Sequence, residues 1–399
     1  MKVVILDPYF ETLGGGEKVV SAVAAFLSKS HEVTVLVKEP VNKNKVAEYF
    51  NLELGGVKFK QLKKEPFYVR VITSRYIKLP GRWKSLVYDY NSLRTLKKLE
   101  MDLFINGLYQ SSLPSPTKTS IYLCMFPQKL KPKNIYHNWF RKFYNLVTTF
   151  FENVLIGSRE DAIDSYSLIL ANSKYTASWV KKYWGRDATV LYPICDDMGP
   201  PLAKKHIVLN VGRFFADNGS SHHKKQDEIL KAFIKLNRPD WELHLAGSAG
   251  EDSGTSEYLG QLEKLKANQS NIYIHPNMPF DKLKKLRQQT AIYWHATGFG
   301  YDQDIFPENQ EHFGMVTVEA MSAGAVPVVY NSAGQKEVVD DGKNGYLWDS
   351  ADVLLKRTTS LIDNDALFRK MSTAAIDRSH AFDRQMFEKK LSEIISELL

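Results

Sequence analysis

Cysteine is nearly absent from this 399-residue chain: Cys124 and Cys195 are its only two. Two thiols are too few for a disulfide framework or a thiolate metal site, and their scarcity points to a reducing, cytoplasmic setting. No uninterrupted run of about 18 apolar residues occurs, so no membrane-spanning helix is expected. The opening MKVVILDPYF has an apolar run of strand length that meets acid and proline, which argues against a secretory leader. Internal repeats and low-complexity segments are lacking. Acidic residues are scarce in one stretch: positions 58–100 hold 12 Lys or Arg against 3 Asp or Glu.

That local scarcity shapes the whole charge distribution. Residues 1–200 carry 29 basic and 18 acidic side chains, a net of +11, which leaves −3 of the formal +8 for the remainder. Phe67, Tyr68, Tyr76, Trp83, Tyr88 and Tyr90 are interleaved with the basic residues. Such a patch suits an anionic surface, whether phospholipid headgroups, a lipid-linked phosphate or nucleic acid, or else is a solvated basic face. The segment 130–155, with cations at its start and Trp139, Phe140, Phe143, Tyr144, Phe150 and Phe151 along it, fits either an interfacial helix or a buried aromatic helix.

Apolar runs of strand length occur at 3–6, 33–37, 103–106 and 120–124, with helical patterns such as Glu17 to Leu27 between them. The second half repeats the scheme, with strands expected at 207–212, 241–247, 271–275, 291–295 and 326–330 and a helix from Gln226 to Leu236. This alternation predicts an α/β protein of two doubly wound domains, each with a parallel sheet covered on both faces. The stretch YPICDDMGPPLAK from Tyr192 to Lys204 gathers three prolines and marks the boundary. The amphipathic end of the chain places Phe387, Leu391, Ile394, Ile395 and Leu398 at helical spacing.

In open parallel sheets, ligands bind beyond the carboxyl ends of the strands, so two facing domains would make a cleft between two such edges. Two loops draw attention there. Gly14, Gly15 and Gly16 follow the first strand and would bring backbone amides close to a phosphate at the start of a helix near Glu17. In the second half, Glu311 and Glu319 flank a join from loop to helix. Gly314 permits close backbone approach there, Thr317 to Ala323 read as a short helix, and Gly324 closes it. Carboxylates so placed accept hydrogen bonds from paired hydroxyls of a ribose or hexose.

The stretch NQEHFGMVTVEAMSAG resembles the C-terminal signature of retaining glycosyltransferases of the GT-B class, which includes mannosyl-, glucosyl- and N-acetylglucosaminyltransferases. LDPYFETLGGGEKVV is similar to that family's glycine-rich loop, LILANSKYTASWVKKYWGRDATVLYP to its interdomain segment, and LNVGRFF with HKKQDEILKAF to the Arg and Lys that clamp a diphosphate. The resemblance covers most of the chain, in the family's order. It implies the GT-B fold: two Rossmann-like domains facing across a cleft, the first an acceptor-binding domain of 1–198 plus a terminal helix 381–399 that crosses back, the second a nucleotide-sugar domain of 199–380. It implies that Arg213 and Lys225 neutralise the donor diphosphate, that Glu319 takes the ribose hydroxyls, and that Glu311 reads the donor sugar without acting as a nucleophile. The backbone of Phe313, Gly314 and Met315 would lie near sugar and phosphate.

On this basis the expected activity is transfer of a hexose or N-acetylhexosamine from a UDP- or GDP-sugar, with no metal and no cofactor. The expected acceptor is a carbohydrate or lipid-linked molecule at the cytoplasmic membrane face, with nucleic acid not the expected partner. A non-catalytic nucleotide-sugar-binding protein with a basic face, and a sugar-nucleotide epimerase, are the alternatives. Asp302-Gln303-Asp304 matches an acid-x-acid metal motif of another glycosyltransferase class but reads as loop, and His222 and His223 read as polar loop residues. One departure stands out: where the family often has a His before Phe-Pro, this chain has Met125, which can neither hydrogen-bond a hydroxyl strongly nor shuttle a proton.

Overall fold

The structure is a computed structural model that describes all residues except positions 9, 11, 12, 63–66, 68–80, 110, 131–138 and 216–222; several side chains at 81–88 and 139–145, among them Tyr88, Trp139 and Phe140, are likewise left out. Tyr68, Tyr76 and His222 therefore lie outside the described residues. Two compact units are present, one of Met1–Leu191 with Glu388–Leu399, the other of Tyr192–Phe387. The change of unit falls at Leu191, before the proline-rich stretch, and the return falls inside the terminal helix Arg384–Leu398.

The first unit is built on seven strands: β1 (Lys2–Leu6), β2 (Glu32–Val37), β3 (Val57–Gln61), β4 (Leu103–Asn106), β5 (Ser120–Cys124), β6 (Leu168–Ala171) and β7 (Thr189–Val190). Their order is β3-β2-β1-β4-β5-β6-β7, and every pairing is parallel. Strands β4 and β5 are buried at every position, as a sheet covered on both faces requires. Apolar runs located β1, β2, β4 and β5. The edge strand β3, VKFKQ, escaped because its lysines break the apolar run, and β6 and the two-residue β7 escaped because both lie in the stretch read as an interdomain segment.

The second unit has six: β8 (Lys205–Val211), β9 (Glu242–Gly247), β10 (Ile272–Pro276), β11 (Thr290–His295), β12 (Val326–Tyr330) and β13 (Tyr346–Trp348). They run β10-β9-β8-β11-β12-β13, again all parallel. Alternate residues of one strand feed two cores. Trp294 of β11 faces the helices Gln226–Leu236 and Ala351–Ile362, its ring edge against Phe233 at 6.2 Å, while its neighbour Tyr293 faces the helices Met315–Ser322 and Asp365–Ser379. Trp294 is fully buried, and its truncation to alanine would cost about 3–5 kcal/mol.

Both sheets reverse their winding at one place. The switch lies between β1 and β4 in the first and between β8 and β11 in the second. Connections leaving two adjacent strands in opposite directions open a crevice at their carboxyl ends, where doubly wound proteins take ligands. Among the described residues, no helix is long and apolar enough to cross a membrane.

Candidate functional site

At the switch of the second sheet, β8 runs into Gly212 and Arg213, and its neighbour β11 ends on His295. Gly212 is required there: a Cβ would come within 2.7 Å of the Lys224 stem, which lies across the strand end. Lys224 Nζ donates to Glu311 Oε2 at 2.7 Å, and His295 Nε2 meets the same oxygen at 3.0 Å. An ionised carboxylate only accepts, so the His295 proton sits on Nε2. Burial pushes the Glu311 carboxyl up, but Lys224 and His295 outweigh it and hold the group well below the usual carboxylate range. His295 itself is pushed down, chiefly by burial and against the pull of Glu311, so the imidazole is neutral.

The second acid stands on the helix Met315–Ser322. Gly314 precedes it at φ 106°, a left-handed conformation, and a Cβ there would lie 2.6 Å from Gln335 Nε2. Glycine thus serves both the turn and the close packing. The helix starts two residues earlier than Thr317, and Gly324 at φ 78° follows it. Glu319 pairs with Arg287 at 3.0 Å, where both side chains are at least nine-tenths buried. Phe313, between the two acids, packs its ring between Tyr192 and Phe382, each at 5.3 Å.

Arg213 is exposed, with its guanidinium 5.5 Å from the Phe215 ring centre. Lys225 takes a left-handed conformation (φ 53°) at the start of the helix Gln226–Leu236, and its ammonium lies 4.4 Å over the Tyr301 ring. Hence Lys224 and Lys225, adjacent in sequence, serve different partners. His223 is buried, its ring 5.0 Å from that of Tyr258, where a polar loop residue was expected; the aromatic surroundings supplied by the helix Ser253–Lys266 draw it in. Asp302 Oδ1 accepts the amides of Asp304 and Ile305, and Gln303 Oε1 accepts the Ala333 amide, so Asp302 shapes its own loop.

In the first unit the helix Gly15–Leu27 starts directly at the glycine loop, two residues before Glu17. Glu17 turns back so that its carboxylate accepts from the Gly14 amide at 2.6 Å. The position expected to meet a phosphate therefore already carries an acid, while Gly15 and Gly16 remain at the helix start. Met125 is held at the end of β5: Asn172 Nδ2 approaches its sulfur at 3.9 Å and Thr176 donates to its carbonyl at 3.3 Å.

Three residues of the second-unit site carried little or no signal. His295 is a polar end to the apolar run AIYWH, a cue that a strand's carboxyl end is near. Lys224 was masked by its neighbour. Arg287 lies in FDKLKKLRQQ, where nothing separates a buried cation from three solvated lysines.

Residues 199–378 match the family model for glycosyl transferases group 1. Over the full length, the fold superposes on HepE of Anabaena, solved with UDP and glucose (TM-score 0.66, 17% identity, 99% of both chains), and on WaaG, a glycosyltransferase involved in lipopolysaccharide biosynthesis (TM-score 0.66, 15%, 99% of both). The second unit is therefore a glycosyl transferases group 1 domain, and the chain has the GT-B fold. A curated relative of this glycosyltransferase is the GDP-Man:Man(3)GlcNAc(2)-PP-Dol alpha-1,2-mannosyltransferase of Dictyostelium discoideum, 22% identical over 98% of this chain and 84% of that one. The mouse protein of that name is 28% identical, but the match spans 65% of this chain and 51% of its own length. Human alpha-1,3/1,6-mannosyltransferase ALG2 is 24% identical over 71% and 68%.

Proposed function

We propose that this glycosyltransferase moves a hexose from a nucleoside diphosphate sugar to a lipid-linked acceptor, with retention of configuration and without a metal ion. The observation that carries the reading is the arrangement at the β8/β11 switch: an ionised Glu311 and the buried Glu319 on either side of Gly314, with Arg213 and Lys225 beside β8. Two acids suit paired hydroxyls, and two cations suit a diphosphate. In this reading Glu319 takes the ribose, Glu311 the sugar, and Arg213 with Lys225 the charge that grows on the leaving diphosphate. Phe313, Gly314 and Met315 line the join with their backbone. The curated relatives named for GDP-mannose make a GDP-sugar the first donor to test.

The acceptor side rests on the first unit. Along the helix Trp139–Leu155, Phe143, Leu146, Phe150 and Val154 are 60%, 69%, 62% and 64% exposed and recur at three- and four-residue steps, one stripe on one face. Lys129, Lys131, Lys133, Arg141 and Lys142 precede or open this helix in the sequence. A basic start and an apolar stripe together suit the headgroup boundary of an anionic bilayer, which brings the enzyme to a lipid-linked acceptor at the cytoplasmic face.

Donor binding tests the reading. Calorimetric titration with GDP-mannose, UDP-glucose and UDP-N-acetylglucosamine is expected to show one clear preference, lost in Arg213→Ala; no binding of any nucleotide sugar would overturn it.

A further inference from the structure

Both hydrogen bonds to the Glu311 carboxylate fall on one oxygen. Lys224 Nζ at 2.7 Å and His295 Nε2 at 3.0 Å converge on Oε2, and Oε1 takes no bond from any described residue. The two donors come from different elements, Lys224 from the loop that crosses the end of β8 and His295 from the end of β11. They approach from the two sides of the sheet's switch point. A carboxylate held at one oxygen by two directional donors has its plane fixed, and its second oxygen is left to a ligand.

We infer that Lys224 and His295 are positioning residues: they lock Oε2 of Glu311 so that Oε1 faces the hydroxyls of the donor sugar. This rests on the reading of Glu311 as the residue that contacts the sugar. Division of labour between the donors follows from their chemistry. Among the described residues, Lys224 brings the one full positive charge bonded to this largely buried carboxylate, and without it burial would favour the protonated acid. His295, neutral, adds direction without a second charge. Its Nδ1 is buried and bonds to no described residue, so Nε2 makes the one directional contact of the ring. Among the described residues, the charged and titratable groups facing Glu311 are Lys224, His295 and the Tyr293 hydroxyl. Tyr293 in turn faces Arg287 and Glu319.

The test compares affinity of the full chain for GDP-mannose and for GDP, and kcat/KM between pH 5.5 and 9, in wild type, Lys224→Met, Lys224→Arg, His295→Phe and His295→Gln. His295→Phe is expected to weaken GDP-mannose at least tenfold while leaving GDP within twofold, because GDP lacks the sugar; His295→Gln, which keeps a donor near Nε2, recovers most of the loss. Lys224→Met is expected to add an acid limb to kcat/KM, falling tenfold or more from pH 8.5 to pH 6, which Lys224→Arg removes. Equal loss of GDP and GDP-mannose, or a Lys224→Met pH profile that matches wild type, overturns the inference. Failure of the underlying reading looks different: the wild type itself then binds no nucleotide sugar, and the inference falls with it.

Discussion

Arg287 holds Glu319 at 3.0 Å with both side chains almost wholly out of water. The glutamate expected to meet a ribose is thus also the counter-ion of a buried guanidinium. Removing it leaves an uncompensated charge, which costs about 3–5 kcal/mol. Glu319→Ala is therefore expected to lower the urea midpoint sharply, whatever it does to donor binding, and Glu319→Gln less so. An alanine variant as stable as wild type would show that the pair contributes little.

Gly334 sets the position of the loop that carries Glu311. Its amide donates to the Glu311 carbonyl at 3.0 Å, and a Cβ would fall 2.2 Å from the His312 carbonyl oxygen and 2.4 Å from Phe313 Cα. Backbone cannot step aside as a side chain can. Gly334→Ala is expected to cost a few kcal/mol and to weaken donor binding together. Gly260 is the control: it lies in the helix Ser253–Lys266 with open space around it, so Gly260→Ala is expected to stabilise by about 0.5–1 kcal/mol. Urea unfolding of the two variants reads both outcomes.

Burial pushes the Asp89 carboxyl up to about 7, against the pull of Arg159 and a bond from the Ser112 backbone. The folded chain keeps this proton up to about pH 7, whereas the unfolded chain releases it near pH 4. Folding therefore takes up a proton in that window, and stability falls as pH rises through it, by at most about 4 kcal/mol. Asp89→Asn removes the charge, so its urea midpoint is expected to exceed that of wild type at pH 8 and to match it at pH 4.5. A gap of equal size at both pH values would contradict this.

The exposed stripe offers a test that leaves the fold alone. Phe143→Ser with Phe150→Ser should leave the thermal midpoint within a few degrees, because both side chains are more than half exposed. Sedimentation with phosphatidylserine vesicles at low salt should drop several-fold. Unchanged sedimentation would assign membrane binding to other residues or to none.

Strand alternation was readable because central strands buried on both faces carry unbroken apolar runs, as in LFIN and SIYLC. Edge strands such as Val57–Gln61 have no such need and stayed hidden. At the site, the acids and glycines of the join were legible from residue type alone, since Gly314 must take positive φ and Gly324 follows a helix end. Their partners were not. Lys224 and Arg287 meet Glu311 and Glu319 across 87 and 32 positions of sequence. Such pairing is decided by the sheet order and leaves no local trace.

Leu391, Ile394 and Ile395 of the terminal helix are buried, and Lys29 bonds Glu388 at 2.6 Å, within a unit otherwise made of residues up to Leu191. During synthesis, the ribosome completes the whole second unit before it supplies this last piece of the first. The first-made half of the enzyme is consequently the last to close, and a chain cut after residue 387 would hold every residue of the second unit while the core of the first stayed open.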